Sequence, residues 1–321
     1  MPVVEALELK RTYATTTGSF RRRRTEIEAV RGVSFAIEKG ELFGLLGPNG
    51  AGKTTTIKML ITLLIPTSGT ARVLGRDVVA DVHWVRRRIG YVFGGDRGLY
   101  ERLSALDNLR YFSELYGVEP ADQRRRIGEL LELVGLAGRE RERVEGFSRG
   151  MKQRLHIARG LLHDPPVVFL DEPTIGLDPV GARELRAAIA SLVQVGKTVL
   201  LTTHYMFEAD QLCDRIAIIS GGRIVGEGTP RELKAHVTDA NVVEIEVYGM
   251  KDGTVERLQG IDGVTAVVVE ERDQAQVLVV QTVEPVSTHA LLGQLDGAAV
   301  GRVATREPTL EDAYVALVSE P

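Results

Sequence analysis

The stretch LFGLLGPNGAGKT, residues 42–54, constrains this chain more than any other. A short apolar run enters a glycine-rich turn, and a helical pattern opens directly behind it. GPNGAGKT at 47–54 satisfies G-x-x-x-x-G-K-[ST] at every fixed position, in the strand–loop–helix context that gives the pattern meaning. Glycines let consecutive backbone N–H groups turn inward, and the helix N-terminus adds favourable potential, so such a loop cradles phosphate oxygens. Gly47, Pro48, Asn49, Gly50, Ala51 and Gly52 line the cradle in this reading. Lys53 reaches the β- and γ-phosphates, and Thr54 and Thr55 follow, with the Thr54 hydroxyl as a ligand for Mg²⁺.

A second stretch, VVFLDEPTIGLD at 167–178, drives four apolar residues into three carboxylates. Neighbouring buried carboxylates repel and need a cation or a chemical reason. Taken alone, Asp171 reads as a helix cap and Glu172 as a surface residue. Beside the phosphate loop, Asp171 stands where a strand-end aspartate holds the Mg²⁺ of a bound nucleotide. Glu172 then sits beside the γ-phosphate and polarises an attacking water.

The runs LFGLL, VVFL (167–170) and TVLLTT (198–203) suit strands buried on both faces of a parallel sheet. Helices are expected at 53–65, 106–116, 121–134, 149–163, 180–195 and 205–212, with Ser104 and Asp107 as a capping box and Gly117 as a stop. This is α/β patterning. After GEGTPRELKAH the texture changes to short strands at 241–249, 264–271, 275–282 and 298–305, with helices at 286–295 and 309–318. A small α+β domain is therefore expected over 236–321, behind an α/β domain over 1–235.

Bulk properties narrow the classes. Of 321 residues, 44% are hydrophobic and 26% charged, an ordinary globular mixture. A net charge of −4 argues against nucleic-acid binding by electrostatics alone. Cys213 is the sole cysteine, so no intramolecular disulfide forms and a reducing compartment fits. MPVVEALELKRTY lacks a secretory leader's pattern, and the apolar run MLITLLI falls short of the ~20 residues a membrane span needs. The runs FRRRRTE (20–26) and Arg86, Arg87 and Arg88 read as solvated faces; the first also suits anionic lipid headgroups.

GPNGAGKTT, FSRGMKQRL (147–155), VVFLDEPTIGLD and TTH (202–204), in this order and spacing, resemble the nucleotide-binding subunit of ATP-binding cassette (ABC) transporters over residues 3–235. The resemblance implies a P-loop ABC-type ATPase fold with a helical subdomain, and ATP and Mg²⁺ as cofactors. It implies that Tyr13 stacks on adenine, although an aromatic there also suits a core. Ser148 and Gly150 match the signature that faces the γ-phosphate bound by a partner cassette, and a serine there also caps a helix. Asp178 matches the aspartate linking two sites across a dimer, and Pro179 behind it marks an N-cap as well. His204 matches the switch histidine at the γ-phosphate. Catalysis then falls to Glu172, His204 and Lys53.

Two departures stand out. The family's glutamine after the strand IGYV is replaced in IGYVFGGDRGLY by Gly94 and Gly95, with Asp96 either a substitute metal contact or a turn residue. Arg149 and Met151 replace signature glycine and glutamine; Arg149 lies near the partner's phosphates or in solvent. The tail REPTLEDAYVAL resembles export ATPases of the daunorubicin-resistance type. The expected protein is a homodimer or paired cassette, peripheral on the cytoplasmic side of the cell membrane. It works with separate transmembrane permease subunits and not with nucleic acid. The segment YERLSALDNLRYFSELYG supplies the docking face. A soluble ABC ATPase acting on nucleic acid or ribosomes, a nucleotide sensor and a polysaccharide-export ATPase are the other readings.

Overall fold

The computed structural model describes residues 2–17, 23–95, 98–235, 241–251, 253–272, 275–282, 287–295, 297–306 and 308–319. Asp96, and Phe20, Arg21 and Arg22 of the basic run, lie outside the described residues. The chain divides into two compact units, Met1–Glu227 and Gly228–Pro321.

The first unit opens with β1 (Val4–Thr17), β2 (Arg23–Ile37), β3 (Leu42–Leu46), α1 (Lys53–Leu60), β4 (Ser68–Val73), β5 (Arg76–Asp77), α2 (Val82–Arg86) and β6 (Ile89–Phe93). A helical stretch follows, with α3 (Ala105–Leu115), α4 (Pro120–Leu133) and α5 (Arg149–Gly160). The unit closes with β7 (Val167–Asp171), α6 (Pro179–Gln194), β8 (Thr198–Thr203), α7 (Met206–Leu212), β9 (Arg215–Ser220) and β10 (Arg223–Gly228).

A six-stranded sheet runs in the order β10-β9-β3-β8-β7-β6. Its pairs β3–β8, β3–β9, β7–β8 and β6–β7 are parallel. Every residue of β3, β7 and β8 is buried, as their unbroken apolar runs require. Consecutive strands of such a sheet end at one edge, so the segments after β3, β6, β7 and β8 gather there. A second sheet, in the order β2-β1-β4-β5, is antiparallel where β1 meets β2 and β4. β1 alternates inward Val4 and Ala6 with outward Glu5 and Leu7, then shifts register before Leu9. The two sheets share a core in which Phe35 of β2 stacks on Phe43 of β3, ring centroids 5.2 Å apart. Each such buried side chain contributes about 1.5–3 kcal/mol.

Local chemistry sets the helix starts. Ser104 caps α3 by accepting from the Asp107 amide at 3.0 Å, while its hydroxyl donates to Asp107 Oδ2 at 2.6 Å. Pro120 and Pro179 take the first turns of α4 and α6, where a missing N–H leaves no bond unmade.

The second unit carries α8 (Pro230–Ala235), β11 (Asn241–Tyr248), α9 (Thr254–Gln259), β12 (Val264–Arg272), β13 (Ala275–Thr282), α10 (Thr288–Leu292), β14 (Ala299–Arg306) and α11 (Leu310–Ser319). Its antiparallel sheet has the order β12-β13-β11-β14. Ile245, Leu278 and Val280 pack with Leu258 of α9 and Leu291 of α10 on one face. The division falls before residue 235 because α8 packs against α11 inside this unit. Residues of the REPTLED segment form a clamp. Arg306 grips Asp312 through two bonds of 2.5 and 3.1 Å and reaches Glu244 Oε1 at 2.7 Å. The Thr309 amide donates to Asp312 Oδ2 at 2.7 Å, closing a capping box on α11. Among the described residues, no helix is long and apolar enough to cross a membrane.

Candidate active site

The phosphate loop leaves β3 at Gly47, where a Cβ would lie 2.2 Å from the Ile219 carbonyl oxygen. Gly52 has φ +111° and would bring a Cβ within 2.6 Å of Ala29 O, so backbone approach and left-handed geometry both demand glycine. Pro48 and Asn49 are exposed, and the Ala51 amide closes the turn onto Pro48 O at 3.2 Å. α1 then begins at Lys53, with Thr54 and Thr55 half-buried behind it.

The Lys53 ammonium is buried, held by two hydrogen bonds and one ion pair. It donates to Gly47 O at 2.7 Å and Pro48 O at 3.1 Å, and it lies 3.1 Å from Glu172 Oε1. On the far side, Glu172 Oε2 is 3.3 Å from His204 Nδ1, a contact that lacks hydrogen-bond geometry. Glu172 thus spans the phosphate-loop lysine and the histidine behind β8. Its φ of +49° is left-handed, a strained state for a residue with a side chain that persists only where the surroundings enforce it.

Asp171 ends β7 beside Thr54. Its Oδ1 accepts from Thr54 Oγ1 at 3.2 Å and from Thr202 Oγ1 at 2.6 Å. Thr202 Oγ1 in turn accepts from the Glu172 amide at 3.0 Å. Burial, then the charge of Asp171 and a hydrogen bond to it, push the Tyr91 phenol up to about 12. Hydroxyls and a carboxylate are the hard oxygen donors that suit Mg²⁺. No group of three or more His, Cys, Asp or Glu side chains among the described residues makes a metal cage. A cation here needs further oxygens, such as those of phosphate. A cavity of 190 Å³ bounded by Thr54, Phe93, Gly94, Asp171, Glu172 and Ile175 adjoins this pair.

A second cluster sits at the tips of α5 and α6. Ser148 caps α5, accepting from the Met151 amide at 3.2 Å, and Asp178 caps α6, accepting from the Gly181 amide at 3.3 Å. A Cβ on Gly150 would lie 3.2 Å from Gly181 Cα, so the two helix starts meet backbone to backbone. Arg149 donates to Gly176 O at 3.1 Å and so ties the signature segment to the turn ahead of Asp178. Tyr13 lies apart from both clusters in sequence, on β1 of the antiparallel sheet, with the Arg11 guanidinium 4.9 Å above its ring.

The loop after β6 distinguishes the two glycines. The Gly94 amide donates to Asp171 O at 2.8 Å, and a Cβ there would meet Glu172 O at 2.2 Å. Gly95 has φ +117° and open space around it. From α5, Gln153 donates to Phe93 O at 3.2 Å and Arg159 to Gly98 O at 2.5 Å. Sequence reasoning gave Thr202 no role of its own within TTH, and it missed Tyr91, which lies in a run whose only signal is apolar or β-branched character.

The ABC transporter family profile matches residues 30–175. The daunorubicin resistance ATP-binding protein DrrA3 of Streptomyces coeruleorubidus is 39% identical over 307 residues, 96% of each chain. This chain belongs to the ABC transporter ATP-binding family. The ABC transporter ATP-binding protein NatA of Bacillus subtilis is 42% identical over 222 residues, covering 69% of this chain and 90% of that one. Among solved structures, cbiO1 from Clostridium perfringens superposes with a TM-score of 0.64 at 27% identity, over 73% of this chain and 91% of the other. The dimeric ATP-binding cassette MJ0796, in a post-hydrolysis state bound to ADP and Pi, gives 0.60 at 27% identity, over 70% and 98%. The P-loop ABC fold expected from the sequence is the fold found, and the protein is an ABC-type ATPase that binds ATP.

Proposed function

We propose that two copies of this ABC ATPase clamp two ATP molecules and use their hydrolysis to power export through separate membrane subunits. The observation that carries the reading is Glu172, strained and held between Lys53 and His204 beside the Asp171–Thr54 pair. The phosphate loop and α1 N-terminus bind the β- and γ-phosphates, with Lys53 exchanging its carbonyl partners for phosphate oxygens. Thr54 and Asp171 would hold Mg²⁺, which would neutralise negative charge developing on the phosphate oxygens. Glu172 accepts the proton of the attacking water, and His204 orients the γ-phosphate against it. Tyr13 bears on the base. Ser148, Gly150 and Asp178 meet the partner's nucleotide, so that closure completes each site and hydrolysis releases the clamp.

For the membrane partner, α3 and the residues flanking it expose Tyr100, Leu103, Tyr111, Leu115 and Tyr116. Tyr100 and Tyr111 stack edge to face at 5.0 Å, giving a rigid aromatic surface. That surface favours a peripheral site on the cytoplasmic side of the membrane. The daunorubicin-resistance relative, similar along nearly the whole chain, favours a drug, antibiotic or lipid-like cargo. Transport relatives and a net charge of −4 leave a nucleic-acid load without support.

Glu172→Gln tests the chemistry. Hydrolysis falls about a hundredfold or more, while ATP affinity holds, because the amide keeps the shape and loses the base. A variant hydrolysing ATP at the parent rate refutes the assignment.

A further inference from the structure

We infer that Glu208 is a positioning residue for hydrolysis: from α7 it braces the turn carrying Glu172, through Thr174, and so sets the spacing between Glu172 and His204. The inference rests on the roles given to those two residues.

Thr174 Oγ1 donates to Glu208 Oε2 at 3.1 Å, in a contact where Glu208 is 1% and Thr174 6% exposed. Thr174 belongs to the turn that follows strained Glu172. Within it, the Ile175 amide bonds Glu172 O at 3.3 Å and the Leu177 amide bonds Thr174 O at 3.1 Å. Fixing Thr174 therefore fixes the turn one residue before Ile175, the residue whose amide closes onto Glu172. At the other end, the Glu208 amide bonds Tyr205 O at 3.1 Å, which places Glu208 in the first turn of the helix directly behind His204. One carboxylate thus joins the two segments whose side chains meet at 3.3 Å.

The energetics say why a carboxylate stands there. Glu208 Oε1 has no hydrogen-bond partner, and no cation lies within ion-pair distance of it, among the described residues. Burial pushes the Glu208 carboxyl up, against hydrogen bonds from Thr203 and Thr174 and the charges of Arg186 and His204. The Cys213 thiol is raised by burial first and then by the negative charge of Glu208. An apolar residue would fill this space without desolvating a polar group. The acceptor for Thr174 is what such a residue cannot supply.

The test measures kcat and KM for Mg-ATP, equilibrium ATP affinity and melting temperature on the full chain. The variants are Glu208→Ala, Thr174→Val, their double mutant and Glu208→Gln. Glu208→Ala and Thr174→Val each lower kcat about tenfold or more, as small misplacements of catalytic groups do, with KM unchanged because neither residue touches nucleotide. The double mutant is no slower than the slower single variant, since Glu208→Ala already removes the bond that Thr174→Val deletes. Glu208→Gln, whose amide oxygen accepts the same bond, keeps the parent kcat. Parent-like kcat in Glu208→Ala, additive losses, or Glu208→Gln as slow as Glu208→Ala overturns the inference. Should Glu208→Ala not fold, Thr174→Val, which removes one hydroxyl at constant volume, decides alone. Glu172→Gln run in parallel separates the two levels. If it is inactive while Thr174→Val is normal, only the brace falls; if it is fully active, the catalytic assignment falls and the brace with it.

Discussion

Gly94 and Gly95 are neighbours under opposite constraints. At Gly94 there is no room, because a Cβ would lie 2.2 Å from the carbonyl of Glu172. At Gly95 there is room but the backbone is left-handed. Overpacking the first costs about 1–3 kcal/mol. Placing a side chain on the second costs about 1–2 kcal/mol of backbone strain. Their functional consequences differ more than their energies. Gly94→Gln is expected to displace Glu172 and lose hydrolysis together with thermal stability. Gly95→Gln keeps hydrolysis and shifts the Mg²⁺ concentration for half-maximal rate, since it offers a new oxygen near Asp171. A Mg²⁺ titration of both variants beside thermal melts checks this, and a fully active Gly94→Gln refutes it. Lys53 shows the same economy at one residue. Its ammonium is satisfied by two loop carbonyls and Glu172, so the lysine is poised without an unpaired buried charge.

At the scale of elements, α11 depends on one clamp. Burial raises the Asp312 carboxyl, but hydrogen bonds from Arg306 and Thr309 lower it by more, so it sits below the usual carboxylate range. A depressed folded value means the stabilisation is present above the unfolded carboxylate pKa of about 3.9 and disappears as pH falls through the folded value. Amide protection factors in α11 are therefore expected to hold at neutral pH and drop in strong acid. In Asp312→Asn they are low already at neutral pH; equal protection in variant and parent contradicts the clamp. The same helix shows what the sequence disclosed. Its position was readable from TLEDAYVALV, as α5 was from the serine cap and β3, β7 and β8 from unbroken apolar runs. α9 was not readable: six residues opened by Gly253 at φ +77° carry too little periodicity. The antiparallel β1–β2 pairing also escaped, because register shifts interrupt its alternation. Within the site, motif residues were legible because chemistry fixes their spacing. The roles of Thr202 and Thr174, though both lie in motif stretches, and of Glu208 were not, since long-range partners give them meaning and spacing does not.

For the whole molecule, the reading requires two copies. Light scattering on Glu172→Gln is expected to show a monomer alone and a dimer with saturating Mg-ATP, and Lys53→Ala to stay monomeric under both conditions. A monomeric Glu172→Gln with saturating nucleotide removes the clamp. The contact of Gly150 with Gly181 bears on how such an assembly moves. Two helix starts touching through bare backbone have no side chain between them to compress or swing aside. The caps Ser148 and Asp178 are therefore coupled through that backbone contact. In the proposed clamp the two caps would then reach the partner's nucleotide together, and the serine would not engage without the aspartate.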